Sequence, residues 1–267
     1  CADRTAVEQH RELHQNHPPP DTLWTLAGTD RMWQRRWNDD DFTEIRIGIG
    51  ERPLRNRLVS APATGDGTTD PLTASALDRL LRTAATVPDV PVTVAVNRFP
   101  RIDIGGDDPR GQVRAMVCQL ALWHGPDRLK IAAVTRSAEW DWLKWLPHHY
   151  RSGGLGGRPL RFAELGAVAA IAGCHLLVLV DTPTAALVDT DAVTLLVIGA
   201  PGTTSTLPPC ASADVLTATQ AETCARRLAR YRLVGGADNA RRQHDRTTLD
   251  AADETAERWP KRPARQR

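Results

Sequence analysis

The stretch "IGGDDPRGQVRAM", residues 104–116, has the outline of a phosphate-binding loop without its key residue. Gly106 and Gly111 are spaced as in G-x-x-x-x-G-K-[ST], but Lys and Ser/Thr are replaced by Gln112 and Val113. A working loop of this kind aims backbone N–H groups and a lysine at the phosphates, and its hydroxyl binds Mg²⁺. Here Gln112 carries no charge and Val113 has no oxygen. Asp107 and Asp108 put negative charge where a phosphate would sit, against whatever the helix dipole offers. Arg110 restores one positive charge, while Pro109 removes an amide. Three readings stay open at this point: a chance turn, a loop that binds nucleotide by other means, and a decayed nucleotide site around Gly105, Gly106, Asp107, Asp108, Arg110, Gly111, Gln112 and Val113.

The surrounding pattern is α/β. "RIDIGG" reads as a short strand entering the loop, and "GQVRAMVCQLALWHG" puts Val113, Met116, Val117, Leu120 and Ala121 on one helical face. "LKIAAVT", "HLLVLVDT" and "VTLLVIGA" are short, continuous apolar runs, as inner strands of a covered parallel sheet require. The alternation of strands and helices leaves crossovers long enough for parallel pairing. "HLLVLVDT" also resembles the strand that carries a metal-holding carboxylate in nucleotide hydrolases, with Asp181 at its end and Thr182 where a water-activating Glu would stand.

Upstream, residues 1–16 are polar on nearly every face, with Val7 and Leu13 as the larger apolar residues before "HPPP", and read as a connector helix. "DFTEIRIGIG" alternates Phe42, Ile45, Ile47 and Ile49 with one slip in phase, and "VPVTVAV" is a second strand. "APATGDGTTDP" is a loop, and "LTASALDRLLRTAA" carries Leu77, Leu80, Leu81 and Ala84 at helical spacing. The apolar run Leu165–Val180 is too short to span a membrane and suits a helix leading into a strand. "TATQAETCARRLARYRL" is a last amphipathic helix. From Gly235 onward the chain is polar, and its final ten residues hold five basic and no acidic ones, so a disordered tail is expected. The division is a connector at 1–20, one domain at 21–234, and a tail at 235–267.

Composition narrows the function classes. The chain has 267 residues, 41% hydrophobic and 25% charged, which is a globular balance. Its net charge of +2 and the lack of a basic stripe argue against a nucleic-acid partner. The five cysteines form no C-x-x-C pair, and buried reduced thiols are expected. His148 and His149 lack a third ligand at metal spacing, so no metal site is expected. The sequence has neither an initiator Met nor a signal peptide, and a start inside a helix suggests a fragment of something longer.

The most specific text is "EWDWLKWLPHHY", residues 139–150. Trp142, Trp145 and Leu146 share a face of a short helical turn that Pro147 ends, and Trp140 lies just before it. Tryptophans in such a segment serve either as core or as anchors for a partner surface.

"WDWLKWLPH" after a strand resembles the EccC ATPases of type VII (ESX) secretion, relatives of the FtsK/SpoIIIE translocases. "HPPPDTLWTLAGTDRMWQRRWNDDDFTEIRIGIGERPL", "DPLTASALDRLLRTAATVPDVPVTVAV" and "IDIGGDDPRGQVRAMVCQLALWHGPDRLKIA" follow that family's order, so the resemblance covers about residues 17–200. It implies a membrane-proximal, ATPase-like domain of RecA-like fold, a mainly parallel sheet flanked by helices, in which a poor nucleotide loop is common. The opening stretch then reads as a decayed site with no catalytic residue of its own, completed by Asp181. No cofactor is expected beyond weak ATP/Mg²⁺ binding. The implied role is to join the membrane part of a secretion complex to motor domains, at the cytoplasmic face of the cell membrane, from a segment that is itself soluble. Implied partners are EccB, EccD, EccE and further EccC copies, with small helical-hairpin proteins as the system's substrates. Trp140, Trp142 and Trp145 become candidate interaction residues. An active NTPase using Arg110 and Asp181, and a DNA-translocating module, remain the rivals. The interval from Tyr150 to His175 is short for the family, so a helix is expected to be trimmed there.

Overall fold

The computed structural model describes residues 2–55, 72, 75–76, 79, 81, 85–151, 157–181, 192–234 and 241–244. Its centre is a five-stranded parallel sheet. Three inner strands are β4 (Leu129–Val134), β6 (His175–Val180) and β7 (Val193–Ile198), and every residue of each is buried. β3 (Arg101–Ile104) and the two-residue β5 (Arg161–Phe162) form the edges, and the order is β3-β7-β6-β4-β5. All pairings in this sheet are parallel. Uniformly apolar strands fit because both faces are covered. One face presents Ile131, Ala133, Leu177, Leu179, Leu196 and Ile198 to the main core, and the other presents Ala132, Val134, Leu176, Val178 and Leu195 to a second cluster. The order places β7 between the strand that enters the glycine loop and the strand that ends at Asp181, which fits a RecA-like α/β fold.

Against the first face lies α2 (Pro109–Trp123), in which every residue but Arg110 is buried. The single apolar stripe expected from the sequence is therefore only part of its contact surface. On its other side runs an antiparallel sheet of order β2-β1-β8, built from β1 (Glu44–Pro53), β2 (Thr86–Ala95) and β8 (Ser212–Ala213). Polar residues of α2 meet this sheet through its backbone. The Gln119 side chain accepts from Arg46 N at 2.9 Å and donates to Arg46 O at 2.7 Å. Such matched pairing is what lets a buried amide be tolerated. The slip in phase near Phe42 arises because Phe42 precedes the strand, with Thr43 at φ 60° between them. α3 (Ala218–Leu228) packs on α2 and starts with a capping box between Thr217 and Gln220.

The N-terminal helix α1 (Ala2–Asn16) docks on the β1–β2 pair. Gln9 donates to Pro53 O and accepts from Arg55 N, while Ala6 and Leu13 pack against Leu54, Val87 and Val90.

Two sequence expectations change. The run from Leu165 forms only a 3-10 turn, Leu165–Ala167, and continues as irregular chain to β6. Gly166 and Gly173 bound too few residues to nucleate an α-helix. Leu165, Val168 and Ile171, three apart, still cover the second face of the sheet. Within the segment expected to be a disordered tail, β10 (Arg241–His244) pairs antiparallel with β9 (Tyr231–Val234), and the two strands pair their backbone groups with each other. The remaining tail residues, the loop at 61–71, Leu77, Leu80 and Ala84 lie outside the described residues.

Candidate functional site

The glycine loop sits where the parallel strands end, between β3 and the first turn of α2. Asp108 caps that turn: its Oδ1 accepts from Gly111 N at 2.8 Å, and Pro109 follows at the first helical position. An added Cβ at Gly111 would stand 2.1 Å from Asp108 Oδ2, so a larger residue here would push the capping carboxylate aside. Gly106 adopts φ 97°, a conformation that glycine reaches freely. Its N–H donates to Thr203 O at 2.9 Å, and Gly202 N donates back to Gly106 O at 2.8 Å. Gly105 is pressed against the same chain, for a Cβ there would lie 2.0 Å from Thr203 O. The segment after β7 thus closes over the loop.

Gln112 and Val113 turn away from the loop. The Gln112 side chain donates to Ile47 O at 3.4 Å, and Val113 is in the core. Asp107 is exposed.

Asp181 follows β6 at the same end of the sheet. Its carboxylate accepts from Trp140 Nε1 at 2.9 Å and from Arg110 Nη2 at 3.0 Å, with Arg110 Nε at 3.4 Å. The Asp181 side chain is 5% exposed and that of Arg110 is 46% exposed. The fold brings the two charges proposed from the sequence together, but it spends them on each other. Thr182 lies outside the described residues.

The tryptophan stretch forms a 3-10 segment, Ala138–Trp145, capped by Ser137, which accepts from Glu139 N. It is tied to α2 by Arg114–Glu139 at 2.7 Å and to β5 by Arg161–Asp141 at 2.7 Å. The rings, which the sequence left open between core and partner surface, are inside in this chain: Trp140, Trp142 and Trp145 are 0%, 4% and 2% exposed. α3 covers the last of them, with the Arg226 guanidinium 3.9 Å from the Trp145 ring centroid.

The paired histidines are structural as well. His148 Nε2 donates to His124 O at 2.7 Å and His149 Nδ1 to Ile131 O at 2.9 Å. Among the described residues no group of three or more His, Cys, Asp or Glu is arranged to hold a metal ion. Nor is any helix among them long and apolar enough to cross a membrane.

Sequence reasoning missed two features. Asp108 followed by Pro109 is a helix-start signal, so its carboxylate could have been recognised as a cap rather than as repulsion alone. Nothing local announces that Trp140 binds Asp181 or that Thr203 meets Gly106, because these contacts join distant segments.

No protein-family model matches the chain. Among curated proteins it is 42% identical over 191 residues to the ESX-4 secretion system protein EccC4 of Mycobacterium tuberculosis, covering 67% of this chain and 16% of that protein. It is 41% identical over 151 residues to the ESX secretion system protein EccC of Thermomonospora curvata, covering 54% of this chain and 12% of that protein. Over 158 residues it is 37% identical to the ESX-1 secretion system protein EccCa1 of Mycobacterium tuberculosis, covering 54% of this chain and 21% of that protein. The chain therefore spans a small part of the length of the relatives it matches. It is an EccC-type sequence, homologous to one segment of the EccC proteins of ESX secretion systems.

Proposed function

We propose that this chain is a catalytically degenerate ATPase-like domain that serves protein export by an ESX system. The observation that carries the reading is the Arg110–Asp181 pair. In a working site the carboxylate at the end of this strand holds Mg²⁺ and the loop's cation faces the phosphates. Here the two neutralise each other at 3.0 Å, and no lysine or hydroxyl follows Gly111. Stabilising the charge of phosphoryl transfer is the main task of such a site, and the groups for it are missing. Gly105, Gly106, Asp107, Asp108, Gln112 and Val113 complete the decayed loop.

The similarity to EccC supports a mechanical role, joining the membrane part of the secretion complex to the motor domains at the cytoplasmic face. On this reading the partners are EccB, EccD, EccE and further EccC copies, and the exported cargo is small helical-hairpin proteins. The division into a connector helix at 1–20, a domain at 21–234 and a tail at 235–267 belongs to the same proposal.

An ATPase assay on the purified chain tests it. The expected rate equals that of the buffer blank. Turnover above the blank that disappears in Asp181→Ala would sink the reading.

A further inference from the structure

A phosphate loop asks two things of its ligand. The amides at the helix start need negative oxygens, and the carboxylate across the loop needs a cation. Both places are taken here by the chain. On the anion side, the Asp108 carboxylate lies over the first turn of α2, with Oδ1 2.8 Å from Gly111 N and Oδ2 in the space a Cβ on Gly111 would take. Gly106 N is occupied by Thr203 O. On the cation side, the Arg110 guanidinium faces Asp181, two residues along the same turn. A carboxylate and a guanidinium from one turn thus stand where an anion and a metal would stand.

We infer that the loop is self-ligated. Asp108 fills the anion seat and Arg110 the cation seat, so the domain keeps a filled arrangement with no nucleotide present. This rests on reading the loop as a degenerate nucleotide site. Tethered groups hold these places without the loss of freedom that a diffusing ligand suffers on binding. A phosphate arriving from solution would also meet the negative charge of Asp107 and Asp108. Degeneration therefore goes beyond the lost lysine: the ligand has been replaced by side chains.

The idea predicts that removing either side chain uncovers a seat. The experiment is thermal unfolding of the full chain in inorganic phosphate against chloride at matched ionic strength, and with and without Mg²⁺. Asp108→Ser keeps a capping oxygen while removing charge and bulk, and Asp108→Asn keeps both the cap and the volume. Wild type and Asp108→Asn should not respond to phosphate, whereas Asp108→Ser should gain about 2–4 °C in Tm at phosphate well above its Kd. Arg110→Ala should gain a similar shift with Mg²⁺ that the double variant with Asp181→Asn loses. A flat response in Asp108→Ser overturns the anion half of the inference, and a flat response in Arg110→Ala overturns the cation half. Neither result touches the non-catalytic reading. Wild-type stabilisation by Mg·ATP together with turnover would overturn both.

Discussion

Trp140 donates its indole N–H to the Asp181 carboxylate at 2.9 Å, across 41 residues of sequence. The bond joins the tryptophan segment to the end of β6 and fixes Asp181 beside Arg110. Because Trp140 is fully buried, Trp140→Phe fills most of the space and deletes the donor. A hydrogen bond to a charged group contributes about 1.5–3 kcal/mol, so Tm should fall by several degrees. Arg110→Ala removes a half-exposed, screened partner and should cost no more than about 1 kcal/mol. Denaturant melts of the two variants check the order. If Arg110→Ala proves the more damaging, the ion pair rather than the indole holds this end of the sheet.

Gln119 makes the second buried link, gripping both backbone groups of Arg46. Gln119→Leu keeps the volume and strands an N–H and a C=O between α2 and β1. Each buried group left without a partner costs about 1–3 kcal/mol, so a loss of roughly 2–5 kcal/mol is expected by urea unfolding. A loss under about 1 kcal/mol would mean that water reaches this interface.

The contrast between these two links shows what the sequence displays and what it hides. The inner strands were legible because a strand buried on both faces must be apolar throughout, as "HLLVLV" is. The glycine loop was legible from its spacing. The burial of all of α2 but Arg110 was not, because Gln112, Arg114 and Gln119 look like a solvent face. Their partners, Ile47, Glu139 and Arg46, lie on other elements. The expected helix after Leu165 failed for the opposite reason: its composition permits a helix, but its length between glycines does not. The tryptophans could be read as core or surface until the sheet, α2 and α3 had been assembled around them.

Acid should destabilise the fold through its buried histidines. Burial is the main cause in each case, lowering His124 and His148 to about 3, and His149 and His175 to about 4. His124 Nε2 accepts from Thr43 N at 2.9 Å, so protonating it would set two N–H groups against each other. Unfolded histidines bind protons near 6.5, above these folded values. Their contribution is therefore complete above about pH 6.5 and is lost as pH falls toward 4. At pH 5 each histidine costs on the order of 2 kcal/mol. Asp214 works the other way, since burial raises its carboxyl. Tm should drop steeply from pH 7 to pH 5, and less steeply in His148→Gln. A Tm constant over that interval would show that these rings are not held neutral.

Trp142 and Trp145 should behave as core rather than as a docking surface. Both are buried, and Trp145 lies beneath Arg226 of α3. Truncating a buried Trp to Ala costs about 3–5 kcal/mol, which for this chain means a Tm lower by roughly 10 °C or more. Lys144, between them, is only partly buried, with its ammonium 5.5 Å from the Trp145 ring centroid. Lys144→Ala should cost no more than about 1 kcal/mol, the usual value of a partly exposed cation–π contact. Arg226→Ala should fall between, because it uncovers one face of Trp145 without emptying the core. Recovery of the secretion complex, measured on the same four variants, separates packing from docking. If recovery follows Tm across the series, the segment acts through the fold. If Trp142→Ala or Trp145→Ala melts like the wild type yet loses the complex, the ring is a partner anchor and its burial in the isolated chain is not the state that assembles.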